Sequence, residues 1–199
     1  MTQENSKQPQ PFSGDHTPHD LLVLSVISFL VYAAIAWVIF TFLHEGPMLE
    51  TLTTGISPGN QLLIGLMSGA FCAVTISFFA DRSPLSGVLD DFYLFRVISQ
   101  TPFSWFDRIQ LSLFAGVGEE LLFRGAVQPV LGIWMTTIIF VGLHGYFKFQ
   151  KPGHILFGAL MFGLSMVLGY LFEYAGLLAA MSAHAVYDVI MLHWVSRDK

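Results

Sequence analysis

Long apolar runs alternate with short polar segments along the chain. Leu21–Leu43, Gly59–Ala80 and Ile155–Phe172 each lack charged residues. A helix needs about 20 apolar residues to cross a hydrocarbon core of about 30 Å. These three runs therefore predict three membrane-spanning helices.

Three further runs are long enough to span a membrane but contain ionisable side chains. Ile109–Val130 holds two glutamates and an arginine, Val130–Phe147 holds a histidine near its end, and Leu177–Val195 holds two histidines and an aspartate. We therefore predict an all-α, polytopic membrane protein with about six transmembrane helices.

The segments outside these runs divide the chain. Residues 1–20 are predicted to be a disordered cytoplasmic tail, and residues 21–80 the first two transmembrane helices. Residues 81–108 are predicted to lie at the membrane interface, where Val88–Ser99 is either an amphipathic segment or an ordinary structured loop. Residues 109–199 form the transmembrane core that contains the ionisable side chains.

The composition agrees with a membrane location. Of 199 residues, 54% are hydrophobic and 12% are charged, against about 25% charged in soluble domains. This excludes a soluble domain, a nucleic-acid-binding protein and a disordered protein. The lipid bilayer is the expected surrounding, and no nucleic-acid partner is expected.

The basic residues predict the orientation. If the N-terminus is cytoplasmic, eight of the nine Lys and Arg residues fall in inner segments, and Arg124 alone lies within a span. The positive-inside rule favours this arrangement. We expect a multi-pass protein with both termini in the cytoplasm, and its compact size favours a bacterial inner membrane.

The ionisable residues within spans indicate an intramembrane polar cavity. Each charge facing lipid would oppose insertion by about 2.5–3.5 kcal/mol, so these residues should face one another or water. Glu120 and Arg124 are four residues apart and can pair on one helix face, whereas Glu119 points about 100° away. Counting along the helices brings Glu119, His144 and His184 together in this cavity.

These three side chains have the chemistry that amide hydrolysis needs. A carboxylate with a neutral imidazole can position and deprotonate water, and a second imidazole can stabilise the oxyanion. No serine or cysteine nucleophile is evident, and Ser165 and Ser182 are expected to be small packing residues. One Glu and two His could also bind zinc, but a His-Glu-x-x-His motif is absent, so metal-free hydrolysis is favoured and zinc is the alternative.

Three motifs resemble the CAAX-protease and bacteriocin-processing family of intramembrane endopeptidases, which includes the type II prenyl-protein endopeptidase. They are Glu119-Glu120 followed by Arg124, Phe140 followed by His144, and His184 followed by Asp188. The resemblance covers about Arg108 to Val195. It implies a helical, glutamate-dependent peptidase acting on a membrane protein or a lipidated peptide, and accounts of the family differ on whether a metal takes part.

The resemblance also implies roles for the motif residues. Glu119 and His144 would activate the water, Glu120 would pair with Arg124, and His184 with Asp188 would form the oxyanion side. We expect Phe140 to pack against the cavity wall. Prenyl-protein processors have Asn at the position of Asp188, and an ionised Asp cannot donate a hydrogen bond to an oxyanion. We therefore expect Asp188 to orient His184, and prenylated substrates are less strongly implied than hydrolysis.

Two other functions remain open. A transporter or proton relay also uses intramembrane Glu, His and Asp residues, although no inverted repeat supports it. A non-enzymatic immunity protein of the same fold should lack a motif residue, and none is missing here. Gly158, Gly163 and Gly169 are expected to allow close helix packing, and His154 and His193 to be ordinary interfacial residues.

Overall fold

The computed structural model describes residues 17–196 apart from 81, 83 and 86, and this part of the chain is built from helices. A 3-10 turn, Leu89–Asp91, and a π-helix, Leu121–Val127, accompany the α-helices. The α-helices are α1 (Pro18–Leu43), α2 (Met48–Thr53), α3 (Pro58–Ala80), α4 (Tyr93–Gln100), α5 (Trp105–Glu120), α6 (Gln128–Leu143), α7 (Pro152–Tyr174) and α8 (Leu177–Val195). The prediction of an all-α fold is confirmed, whereas residues 1–16 of the predicted tail lie outside the described residues.

The burial pattern is the reverse of that in a soluble protein. Large apolar side chains such as Phe42 and Phe71 are 77% and 72% exposed, whereas Glu120 and Arg124 are 0% and 1% exposed. An apolar exterior around buried ions is stable only where lipid surrounds the protein. Together with its long apolar helices, this identifies the chain as an integral membrane protein.

Among the described residues, five helical segments are long and apolar enough to span a membrane, where the sequence predicted about six. The difference lies in Trp105–Leu143, a 39-residue segment that contains the predicted third and fourth spans. At 1.5 Å per residue it would be about 58 Å long if straight, nearly twice the hydrocarbon thickness. It is not straight, because Gly132 has φ 75° and ψ 165°.

The chain reverses at Gly132. The ring of Phe140 lies 5.0 Å from that of Phe123 and 4.6 Å from the guanidinium carbon of Arg124. Such contacts across 17 and 16 positions require two antiparallel helical legs. Only glycine readily adopts this positive φ, so Gly132 sets the turn, two residues after the boundary predicted at Val130.

Helix α8 lies at the centre and packs closely against its neighbours. A Cβ atom on Gly69 of α3 would lie 2.2 Å from the carbonyl oxygen of Ala183, and one on Gly116 of α5 would lie 2.9 Å from the amide nitrogen of Ala185. Glycine is therefore required for both helices to approach α8, and these contacts hold the residues on either side of His184.

The glycines of α7 differ in their surroundings. A Cβ on Gly158 would lie 2.9 Å from the Tyr146 carbonyl oxygen, and one on Gly169 would lie 2.7 Å from Ile133. These two positions allow close packing, as predicted. The prediction is wrong for Gly163, where a Cβ would meet no atom within 4 Å.

The interfacial segment is folded onto the beginning of α7. Phe92 and Phe95 are buried, and their rings lie 5.1 and 5.7 Å from that of Phe157. The Asp91 carboxylate accepts hydrogen bonds from Lys151 at 2.6 Å and His154 at 2.9 Å. His154 is 4% exposed, so it is a buried partner of Asp91 rather than the ordinary interfacial histidine that the sequence indicated.

Candidate active site

The two glutamates of the first motif end α5, and the backbone widens directly after them. The π-helix begins at Leu121 and contains Arg124. A π-helix has i→i+5 hydrogen bonding and often occurs at functional sites, where it turns side chains away from their α-helical positions. Sequence periodicity assumes 3.6 residues per turn, so this widening was not predicted.

The Glu120 carboxylate binds two partners through one oxygen. Its Oε1 accepts a hydrogen bond from Arg124 Nη1 at 3.1 Å, which is the pairing predicted from the spacing of four residues. The same oxygen lies 2.7 Å from His184 Nδ1. Glu120 therefore fixes the position of α8 relative to α5, a role that local spacing does not reveal.

Arg124 is held further by α7. Its Nη2 donates to the Ser165 carbonyl oxygen at 3.0 Å and to the Ser165 hydroxyl at 2.8 Å. The guanidinium also faces the Phe140 ring. The interpretation of Ser165 as a packing residue is wrong, because its hydroxyl is a ligand of a buried cation. Ser182 instead bonds carbonyl groups of its own helix.

Glu119, His144 and His184 meet beside this ion pair. Glu119 Oε2 lies 3.4 Å from His144 Nε2 and 3.9 Å from His184 Nε2. Both separations exceed an ordinary hydrogen bond, and Oε2 is buried without a hydrogen-bond partner in the described part of the chain. A buried carboxylate oxygen needs such a partner, which marks a position that a water molecule would fill.

The other nitrogens of the two histidines define the tautomers. His144 Nδ1 lies 2.8 Å from the Phe140 carbonyl oxygen, and His184 Nδ1 lies 2.7 Å from Glu120. A carbonyl and a carboxylate oxygen only accept hydrogen bonds, so each Nδ1 carries the hydrogen. In a neutral imidazole, Nε2 is then an acceptor. Both Nε2 atoms therefore face Glu119 Oε2, as acceptors where the ring is neutral and as donors where it is protonated.

Asp188 and two aromatic residues complete the cluster. Asp188 Oδ2 lies 3.5 Å from His184 Nε2. The Phe140 ring lies 4.3 Å from that of His144, which stacks on its other neighbour, Tyr146, at 5.5 Å. Tyr146 was not predicted, although its position two residues after His144 in an aromatic segment was a signal. All seven predicted site residues therefore lie in one cluster.

The cluster is more exposed at His144 and Asp188 than at its ion pair. The side chains of Glu120 and Arg124 are 0% and 1% exposed, and those of Glu119 and His184 reach 12% and 9%. His144 and Asp188 are the most accessible at 23% and 27%. A reactant would therefore approach past His144 and Asp188, and the ion pair would remain dry.

The fit of a metal ion depends on how these ligands are arranged. Among residues 17–196 without the three undescribed positions, no three His, Cys, Asp or Glu side chains have an arrangement suited to a metal ion. The donor types of Glu119, His144 and His184 nevertheless suit zinc. Zinc therefore requires an experimental test.

Comparison with known proteins gives the relationship. The matching family is described as type II CAAX prenyl endopeptidase, Rce1-like, and all three motifs lie within the matched residues. Residues 101–190 are Rce1-like. The resemblance predicted for about Arg108 to Val195 is confirmed, with the matched region beginning seven residues earlier and ending five residues earlier.

The similarity to a curated relative also covers only part of this chain. The chain is 33% identical over 97 residues to the uncharacterized protein YpbD of Bacillus subtilis strain 168. The matched region covers 46% of this chain and 49% of YpbD. The chain thus spans about half the length of that relative. No solved structure matches significantly.

Proposed function

We propose that this Rce1-like chain is an intramembrane endopeptidase that hydrolyses a peptide bond in a membrane protein or a lipidated peptide. The observation that carries the proposal is the unpartnered Glu119 Oε2, which faces the Nε2 atoms of His144 and His184. Glu119 Oε2 and Nε2 of a neutral His144 can each accept one of the two hydrogens of a water molecule, which leaves His184 Nε2 for the substrate oxygen. The similarity of residues 101–190 to a peptidase family supports the same function.

In the proposed reaction, Glu119 acts as the general base. The water oxygen forms a bond with the carbonyl carbon of the substrate, and a water proton passes to Glu119 with His144 orienting the molecule. As the C–N bond breaks, this proton passes to the leaving amine. His144 is held for this task by its Nδ1 hydrogen bond to the Phe140 carbonyl.

His184 is proposed to stabilise the oxyanion. Glu119, Glu120 and Asp188 bring three negative charges, and Arg124 brings one positive charge. Buried ionic clusters are costly unless their charges are offset, and a proton on His184 would offset one of the two uncompensated negative charges while His144 stays neutral. A protonated His184 would donate from Nε2, and Asp188 at 3.5 Å would hold that charge in place. This is the orienting role expected for Asp188.

We propose a metal-free reaction and an orientation with both termini in the cytoplasm of a bacterial inner membrane. One water molecule can satisfy both Glu119 Oε2 and His144 Nε2, so the proposed reaction needs no further ligand. For the purified enzyme, a zinc chelator should leave turnover unchanged. Loss of turnover that zinc restores would show that the site uses a metal instead.

The test compares peptide termini in membranes from cells that express the wild type or Glu119→Gln. New termini should appear with the wild type and disappear with the variant, because glutamine keeps the shape but cannot accept the water proton. Glu50→Gln on the exposed helix α2 is the matched control and should give the wild-type termini. The same termini with folded Glu119→Gln would contradict the proposal.

A further inference from the structure

A cavity lies away from the cluster, where the α4–α5 connection meets the end of α8. Its volume is about 470 Å³. Pro102 and Phe103 contribute apolar surface to its lining, and the polar residues that line it are Ser99, Gln100, Thr101, Ser104, Arg108 and Ser196. The proposed hydrolysis uses none of them.

Arg108 is the charged group of this cavity, and among the residues that the structure describes it forms no ion pair with a carboxylate. Within the described part of the chain no carboxylate lies within 4 Å of its guanidinium, and its Nε is buried without a hydrogen bond. The neighbouring Asp107 is bound instead by the backbone and hydroxyl of Ser104, at 2.8 and 2.7 Å. Arg108 contacts His193 Nδ1 at 3.4 Å and faces the ring of Trp105 at 5.2 Å. Neither contact neutralises its charge.

Other donors in the cavity can turn toward a ligand. The Gln100 amide makes no hydrogen bond within the described residues. The Ser196 hydroxyl donates to the Leu192 carbonyl at 2.7 Å, but that carbonyl also accepts from the Ser196 amide. The hydroxyl can therefore rotate away and leave the carbonyl paired. The cavity thus offers a fixed cation together with neutral donors, which suits an oxyanion.

The cavity lies at the membrane surface. Trp105 and Phe106 are 56% and 68% exposed at the first turn of α5, and the exposed apolar stripe continues one and two turns later through Ile109 and Leu113. Tryptophan is enriched at the level of lipid headgroups. Arg108 therefore lies where the bilayer presents its phosphate groups.

We propose that this cavity binds a phosphate group, supplied by a phospholipid headgroup, with Arg108 as its charged ligand. The planar guanidinium can donate two parallel hydrogen bonds to phosphate oxygens. The other source with the same chemistry is inorganic phosphate from solution. The site is independent of the proposed peptidase reaction, so either proposal can fail alone.

The test titrates delipidated full-length protein in detergent with phosphatidylglycerol, with diacylglycerol of the same chains, or with inorganic phosphate, and counts bound molecules by native mass spectrometry. Phosphatidylglycerol should bind more tightly than diacylglycerol. Arg108→Gln should weaken its binding by about tenfold or more. Arg108→Lys should retain part of the affinity, because lysine keeps the charge but cannot donate two parallel hydrogen bonds.

The control is Arg82→Gln, which removes an exposed arginine outside the cavity and should bind phosphatidylglycerol like the wild type. Inorganic phosphate that displaces the lipid only when Arg108 is present would support the phosphate site and identify solution as a second source. Equal binding of the two lipids, wild-type binding by folded Arg108→Gln, or an equal loss in Arg82→Gln would overturn the proposal.

Discussion

His184 and Glu120 are 64 residues apart in sequence, yet His184 Nδ1 lies 2.7 Å from Glu120 Oε1 in the interior of the helical bundle. This contact joins α8 to the end of α5 at the point where Arg124 binds the same oxygen. One carboxylate oxygen therefore holds an imidazole from one helix and a guanidinium from another segment. The catalytic proposal and the stability of the bundle both depend on it.

Replacing Glu120 by Ala should strongly destabilise the protein. The change leaves the Arg124 guanidinium buried without its carboxylate, and removing one partner of a buried ion pair costs about 3–5 kcal/mol. Thermal unfolding in detergent measures the effect. Glu120→Gln keeps an acceptor oxygen, so its free energy of unfolding should fall less. Glu50→Ala should have nearly the stability of the wild type. Wild-type stability of Glu120→Ala would refute the structural role.

Replacing Ser165 by Ala should lower the free energy of unfolding by about 1.5–3 kcal/mol, the range for a hydrogen bond to a charged group. The carbonyl oxygen of residue 165 would still accept from Arg124, so the protein should fold. Ser182→Ala is the control, because that hydroxyl bonds carbonyl groups of its own helix. Equal stabilities of the two variants would argue against Ser165 as a ligand of Arg124.

Gly69→Ala should separate α3 from α8. Its Cβ would lie 2.2 Å from the carbonyl oxygen of Ala183, which precedes His184. Overpacking of this kind costs about 1–3 kcal/mol, and the displaced histidine should also lower turnover. Gly163→Ala, where a Cβ meets no neighbour within 4 Å, should preserve both stability and turnover. Equal stability and turnover of the two variants would contradict the requirement for glycine at position 69.

Asp188→Asn should reduce kcat with little change in KM. Asparagine keeps an oxygen near His184 Nε2 but removes the negative charge that would stabilise a protonated ring. The pH profile of kcat should therefore shift toward lower pH, because His184 would lose its proton more easily. A purely structural role for Asp188 would lower stability and leave the pH profile unchanged, which unfolding and kinetic measurements can distinguish.

Asp91 should make stability depend on pH in acid. Hydrogen bonds from Lys151, and then from His154, hold the pKa of the Asp91 carboxyl below its usual range. Because the pKa is lowered in the folded state, the ionised Asp91 stabilises the fold at pH values above its usual pKa of about 4. This stabilisation is lost as pH falls through the lowered pKa. The Tm difference between the wild type and Asp91→Asn should be constant near neutrality and disappear in strong acid. A difference that persists there would contradict this linkage.

Hydropathy and local spacing predicted much of this arrangement. The cost of charge in lipid identified Glu119, Glu120, Arg124 and Asp188 as inward-facing residues, and a separation of four positions predicted the Glu120–Arg124 pair. Both inferences depend on local sequence alone. Counting residues along the helices added the expectation that His144, directly after α6, and His184 of α8 meet Glu119, and the motif resemblance implied their roles.

Other features depend on distant parts of the chain or on backbone geometry. The contacts of His184 with Glu120 and of Ser165 with Arg124 join residues 64 and 41 positions apart. The π-helix changes the number of residues per turn, and the reversal at Gly132 occurs within a continuous apolar run. Hydropathy therefore predicted two consecutive spans that meet at Val130, two residues before the reversal, but not the positive φ of Gly132 by which the chain turns without a polar loop.

The short second leg of the helical hairpin has a consequence for the bilayer itself. From residue 133 to Leu143 it rises only about 16 Å, half of the hydrocarbon thickness, and the chain then continues without helix through residues 144–151. Lipid tails cannot hydrogen-bond to the amide groups of that stretch. The amides of His144, Gly145, Tyr146 and Lys148 are bonded within the chain, and we expect water to satisfy the others, which would shorten the path between bulk water and the buried carboxylate of Glu119.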